Sequence, residues 1–431
     1  MAMHALAQEL NAVLEPTICY RALSDFGRRI YFPRGIVAQT AEANQNCSTF
    51  NATAGMAFKD GEPMALPSIA HYLNDLSGRE SVAYAPTGGV AELRSAWLSQ
   101  IRRKNPSLGD TPISTPVVTP GLTAGVAQAA DLFVNAGDVI LIPDMFWGNY
   151  RLMFEERYGA RIVTFRFFDD QMNLNLPALE QALAGRSGKV LILLNFPNNP
   201  TGYSPTREQA QALAAMVTRY AEAGNEAVVI TDDAYFGLFY EPEVYSESLF
   251  SVLAGAHENL LAVKVDGATK EDFVWGFRIG FLTFGARGVT PEQYVALEKK
   301  LAGSLRSVIS NSTNLGQHIL LKALQSPAYA AEKAAFRALL EARYHRIKEI
   351  LAERTSGAPL QELPFNSGYF MTFKCNNISA EQLRKVLLGE KVGTIAIGDD
   401  YLRLAYSAVD LENLDEFMAT VFEAADKLNM S

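Results

Sequence analysis

The chain has 431 residues, of which 48% are hydrophobic and 20% charged, a composition that excludes a disordered or fibrous protein and, at roughly 150 residues per domain, allows two or three domains. Its 38 basic and 47 acidic side chains leave a net charge of −9, which argues against nucleic acid or anionic membrane as a partner. Three separated cysteines, Cys19, Cys47 and Cys375, and five scattered histidines give neither a disulfide framework nor a metal-ligand spacing, so no metal is expected and a reducing compartment is.

The first 45 residues lack a basic stretch followed by an apolar one, and no apolar run approaches the roughly 18 residues of a membrane span, so a soluble, cytoplasmic protein is expected. These residues have no strand rhythm of their own and are expected to pack on a small domain. Beyond them, apolar β-rich runs alternate with helical patterns: Val139–Ile142, Arg161–Phe165, Val190–Asn195, Ala227–Thr231, Leu260–Val265 and Ile279–Phe284. Runs apolar on both faces predict a mostly parallel sheet covered by helices. Between the third and fourth runs a helix is predicted from Ser204 as N-cap with Pro205 at its first position, and Ala210, Leu213, Ala214, Val217 and Ala221 repeat at helical spacing.

The rhythm changes near residue 310. An amphipathic helix is predicted over Ala330–Arg354 with its charged face solvated, followed by strand-like pieces at Tyr369–Phe373 and Tyr401–Ala405 and a final helix over Leu411–Leu428. The expected fold is therefore α/β. Residues 46–310 form a large domain around the mostly parallel sheet, and residues 1–45 and 311–431 form a smaller α+β domain.

In open parallel sheets ligands gather beyond the C-terminal ends of the strands. Here those positions read Phe196-Pro-Asn-Asn-Pro-Thr-Gly202, Asp232-Asp-Ala-Tyr235, Asp266-Gly-Ala-Thr-Lys270 and Trp275-Gly-Phe-Arg278. A lysine at a strand end can form a Schiff base with an aldehyde. An acid can keep a pyridine nitrogen protonated, an asparagine and a tyrosine can hydrogen-bond a phenolate oxygen, and an arginine can clamp a phosphate. Those are the requirements of pyridoxal 5'-phosphate.

The motifs Asn199-Pro200-Thr201-Gly202 and Asp232-Asp233-Ala234-Tyr235, with Lys270 eight residues before Arg278, resemble those of the fold-type I aminotransferases of class I and II, the aspartate aminotransferase relatives, and the resemblance spans nearly the whole chain. It implies pyridoxal phosphate as cofactor, with Lys270 as its Schiff-base partner and proton shuttle. Asp232 would pair with the pyridine nitrogen, Asn199 and Tyr235 would hold the ring oxygen, and Arg278 would bind the phosphate. The stretch Val117–Gly125 resembles the family's strand-to-helix turn, where Leu122 and Thr123 meet the phosphate at a helix N-terminus. Trp147, with Phe146 as competitor, falls where the family stacks an aromatic ring on the cofactor. Tyr84 resembles a tyrosine that reaches the phosphate across a dimer interface, and Arg403 the arginine that takes the substrate α-carboxylate. Gly35 and Ile36 fall near the substrate mouth. Arg306 stands where relatives that use dicarboxylates place the arginine for the distal carboxylate, supplied by the neighbouring subunit. One departure is Gly267, where the family often has a phosphate-binding serine; Thr269 is the candidate to compensate.

The implied activity is transfer of an amino group between an L-amino acid and a 2-oxo acid by a ping-pong mechanism, in a homodimer with sites at its interface. A lyase or decarboxylase on the same cofactor is the alternative, because fold and cofactor do not fix reaction type. A non-enzymatic regulator would need an added basic DNA-binding module, which the first 45 residues do not supply.

Overall fold

The computed structural model of the protein describes residues 3–15, 17–33, 35–353 and 359–430. Seven strands make the central sheet: β1 (Val117–Thr119), β2 (Val139–Pro143), β3 (Arg161–Phe165), β4 (Lys189–Asn195), β5 (Glu226–Asp232), β6 (Leu260–Asp266) and β7 (Gly280–Gly285). Their spatial order is β1-β7-β6-β5-β4-β2-β3. All run parallel except β7, which is antiparallel to both of its neighbours. The Val/Ile/Leu runs of β4 and β5 are buried, as strands covered on both faces require. Asn195 pairs with Asp232 in register, so the C-terminal ends of β4 and β5 finish level and open their loops on the same side.

The helix after β4 begins later than the sequence predicts. Thr206, not Ser204, is the N-cap of Arg207–Glu222, because Thr206 Oγ1 accepts from the Gln209 N–H while Gln209 Oε1 accepts from the Thr206 N–H, a reciprocal capping box. Ser204 has a different task. It is buried, shares a hydrogen bond with the Ser367 hydroxyl at 2.8 Å, and donates its N–H to Asn366 Oδ1. It thereby ties the Asn199 loop to the C-terminal part of the chain. The predicted apolar positions Ala210, Leu213, Ala214, Val217 and Ala221 are all buried.

A second sheet is antiparallel, with β8 (Leu360–Glu362), β9 (Met371–Cys375), β10 (Ile395–Ile397) and β11 (Tyr401–Leu404) in the order β8-β9-β11-β10. The helix Tyr329–Ala352 leads into it; the predicted end at Arg354 lies outside the described residues. The last helix is Leu414–Asn429, preceded by a single 3-10 turn at Leu411–Asn413. Among the described residues no helix is long and apolar enough to cross a membrane, and no group of His, Cys, Asp and Glu could hold a metal ion.

The early residues divide their contacts between the two sheets. Helix Ile36–Asn46 lies against β10, where the Gln39 side chain accepts from the Ala396 N–H and donates to its carbonyl. Asp25–Arg29 instead meets the segment after β2: Arg29 Nε donates to the Glu156 carbonyl, and the Arg157 guanidinium lies 5.8 Å from the Phe26 ring centroid.

Candidate active site

The loops at the C-terminal ends of the parallel strands enclose a cavity of about 530 Å³. The sequence-predicted Ile36, Leu122, Thr123, Trp147, Asn199, Asp232, Tyr235, Lys270 and Arg403 all line it. Each reaches it for a local reason. Asp232 ends β5, Lys270 sits in the turn Ala268–Glu271 directly after β6, and Arg403 lies on β11 opposite Ile395. Trp147 follows β2 and lines the cavity, whereas Phe146 turns away to stack on Tyr150 and under Arg151.

The floor of the cavity carries a buried acid. Asp232 is 4% exposed, and burial raises its carboxyl above the ordinary range. Opposing that rise are a hydrogen bond from Tyr150 Oη at 2.5 Å, the charge of Lys270 and an N–H from Ala234 at 3.2 Å. Lys270 Nζ lies 4.7 Å from the centroid of the Tyr235 ring. Burial lowers its amine to about 8; Asp232 opposes this and Arg278 adds to it. The neighbouring Asp233 takes no part in the cavity. It pairs instead with Lys264, which is fully buried and also 3.3 Å from Asp266, and it accepts from the Ser248 hydroxyl at 2.6 Å.

On the opposite wall Arg403 is 2% exposed, with its guanidinium 4.3 Å from the Phe370 ring centroid. Its Nη1 donates to Asn199 Oδ1 at 3.0 Å and its Nη2 to the Thr53 carbonyl at 2.8 Å, while the buried Nε has no hydrogen-bond partner. Burial draws this guanidinium down to about 10, so it remains cationic at neutral pH.

Arg278 is outside the cavity lining but beside it. Its left-handed backbone, φ 54°, swings the guanidinium against Gly121, the residue that caps the helix Leu122–Phe133. A Cβ at Gly121 would stand 2.6 Å from Arg278 Nη2, so only glycine admits this approach. An arginine at a helix N-terminus beside free N–H groups suits a phosphate. Gly267 leaves no room for the serine that the family resemblance leads one to expect there: a Cβ would lie 2.7 Å from the Ile279 carbonyl, which closes up on the turn from β7. Thr269, the candidate to take the serine's place, faces the other way. It is buried behind the turn, its hydroxyl aimed at the Ile279 carbonyl 3.4 Å away, and it does not line the cavity.

Three further candidates stay apart from the cavity of their own chain. Tyr84 is 92% exposed, Gly35 is the exposed N-cap of helix Ile36–Asn46, and Arg306 donates to the Ser310 hydroxyl at 2.6 Å on the surface. The structure also adds residues that the sequence reading missed. Tyr150 stands one helical turn after Trp147, a spacing that could have revealed it. Asn195, the last residue of β4, donates to the Asp232 carbonyl and accepts from the Asn199 N–H, bracing both. Thr53 and Phe370 come from distant parts of the chain and carry no local signal.

The sequence profile of the family "Aminotransferase class I and II" matches residues 54–421. The chain belongs to this family. Among its curated relatives, the aspartate/prephenate aminotransferase of Thermus thermophilus is 26% identical over 345 residues, covering 77% of this chain and 80% of the relative. The aspartate aminotransferase of Pyrococcus horikoshii is 25% identical over 357 residues, covering 80% and 83%. Among solved structures, an aminotransferase from Anaerococcus prevotii superposes with a TM-score of 0.82 at 25% identity, covering 95% of this chain and 98% of that one. The aminotransferase is thus an enzyme of the fold-type I architecture.

Proposed function

We propose that this aminotransferase binds pyridoxal phosphate in the cavity and moves an amino group between an L-amino acid and a 2-oxo acid by a ping-pong mechanism. The observation that carries the reading is that Lys270, Asp232 and Arg403, from a turn and two separate strands, face one cavity. The residues fit the cofactor. A buried carboxylate stands at the floor for the pyridine nitrogen, Asn199 and Tyr235 flank it, and the Gly121 cradle with Leu122, Thr123 and Arg278 offers N–H groups and a cation for the phosphate. Trp147 supplies an aromatic face and Lys270 Nζ the covalent attachment. When bound, pyridoxal phosphate supplies an electron sink for negative charge at the substrate Cα.

The chain's own residues do the rest. Arg403 holds the substrate carboxylate with its planar fork and its unpartnered Nε, which fixes the Cα. Lys270, its amine lowered toward neutrality, takes and returns the proton at that carbon. Asp232 would hold the proton of the pyridine nitrogen, and the hydrogen bond from Tyr150 favours the carboxylate form of Asp232 against the effect of burial. This reading assigns residues 46–310 to the cofactor-binding domain and 1–45 with 311–431 to the smaller one. It also assigns the exposed Tyr84 to the phosphate of a second copy in a homodimer.

A dicarboxylic donor is the finer reading. It is supported by the relatives that are named for aspartate and by the position of Arg306, which would act on the second copy's cavity. A panel of amino donors with 2-oxoglutarate, scored by the cofactor's absorbance change and by chromatographic identification of products, tests both levels. Release of a 2-oxo acid from the donor supports transamination, whereas carbon dioxide or an eliminated side chain contradicts it. A glutamate-to-alanine preference in kcat/KM that is unchanged in Arg306→Ala removes Arg306 from the site.

A further inference from the structure

Behind Lys270, on the side away from the cavity, lies a cluster of four charges that the reaction as described does not use. Glu271 Oε2 is 2.7 Å from Lys104 Nζ, and Glu271 Oε1 is 2.7 Å from Lys333 Nζ. Lys333 Nζ is also 2.9 Å from Asp272 Oδ1, which accepts a hydrogen bond from Tyr329 Oη. The four side chains are largely buried, and Asp272 is wholly so. Two cations and two anions leave the cluster neutral, as burial of charge demands.

Its place in the fold gives it a second role. The turn Ala268–Glu271 has only four residues, and its N-cap, Gly267, supplies no side-chain cap. Besides the backbone bonds from Asp272 N–H to the Ala268 carbonyl and from Val274 N–H to the Thr269 carbonyl, it is held from outside. Tyr369 Oη donates to the Lys270 carbonyl at 2.9 Å, and Glu271 is clasped by one lysine from helix Ala91–Lys104 and another from helix Tyr329–Ala352. The Glu271 carboxylate also rests on Gly237, where a Cβ would stand 2.7 Å from Oε1. Gly237 follows Tyr235 by two residues. One carboxylate therefore gauges both the turn that presents Lys270 and the turn that presents Tyr235.

We propose that Glu271 is a positioning residue for amino-group transfer, its clasp by Lys104 and Lys333 setting where Lys270 Nζ stands in the cavity. The proposal rests on the assignment of Lys270 made above. Its mechanism is geometric: a displaced turn mis-aims the amine at the substrate Cα, while the carboxylate site at Arg403, on another sheet, is untouched.

The test compares full-length wild type with Glu271→Gln, which keeps shape and an acceptor but removes the charge. Three measurements are made: kcat and KM normalised to cofactor-loaded sites, the rate at which protein stripped of cofactor captures added pyridoxal phosphate, and thermal unfolding. The expected result is a loss of kcat and of capture rate of about tenfold or more, with the donor KM changed less than about twofold. Unchanged kcat and capture rate would overturn the proposal whatever the unfolding temperature does, since a purely structural cluster alters stability alone. A rise in KM alone would overturn it too. If Glu271→Gln does not fold, Lys104→Gln at the cluster's edge carries the same expectations and the same contradictions. Should wild type itself fail to capture pyridoxal phosphate at Lys270, the parent assignment fails, an outcome distinct from the variant matching wild type.

Discussion

Tyr150 donates its hydroxyl to Oδ2 of Asp232 across 2.5 Å, and both side chains are buried. Burial pushes the Asp232 carboxyl up, and this bond is foremost among the influences that push it back. Removing the donor raises the carboxyl further, so the acid is less able to hold a pyridinium proton. A hydrogen bond to a charged group is worth about 1.5–3 kcal/mol, so Tyr150→Phe should lower kcat roughly 10- to 150-fold with the fold intact by circular dichroism. Wild-type turnover at saturating cofactor would reduce the bond to a packing detail.

Arg403 donates to two protein acceptors and keeps three N–H groups, the unpartnered Nε–H among them. Arg403→Lys keeps the charge but loses the fork and the stacking on Phe370, so the donor KM should rise about tenfold or more with a smaller change in kcat. Because burial brings the guanidinium only to about 10, the wild-type KM should show no contribution from this group between pH 7 and 9. Steady-state kinetics across that range check both statements.

The amine of Lys270 is drawn down from 10.5 to about 8, first by burial and then by Arg278, against the pull of Asp232. In protein stripped of cofactor, an amine-acylating reagent should therefore label Lys270 half-maximally near pH 8, ahead of surface lysines. Arg278→Met removes a like charge, which favours the protonated form, so the labelling curve should move to higher pH. Peptide mass analysis across a pH series reads both curves; a Lys270 curve overlying the surface lysines would contradict the electrostatic account.

Tyr84 exposes nearly its whole side chain, as does the nearby Val82 at 86%. If Tyr84 serves the second copy, mixing Lys270→Ala chains with Tyr84→Phe chains yields hybrids with one site free of both lesions. Such hybrids should bind cofactor at that site with wild-type affinity. A fully active monomer in sedimentation would contradict the composite site.

The parts of the site legible in the sequence are those fixed by short spacings at strand ends. Asp232, Asn199 and Lys270 each follow an apolar run directly, and the sheet's topology then brings them together. Arg403 was readable only through family likeness, since its partners Thr53 and Asn199 lie 350 and 204 residues away. Thr53 and Phe370 were invisible for the same reason. The helix start was misread because Ser204 and Thr206 are both plausible caps, and the choice depends on Gln209 and on the distant Ser367. At Gly267 the sequence records a missing serine, but the reason, the approach of the Ile279 carbonyl, exists only in three dimensions.

The central claim is that Lys270 is the residue to which the cofactor is joined. Reduction of the holoenzyme with borohydride, followed by proteolysis and peptide mass analysis, reads this directly. A pyridoxyl adduct confined to the peptide containing Lys270, and absent in Lys270→Ala, is the predicted result; an adduct on any other lysine would contradict the account.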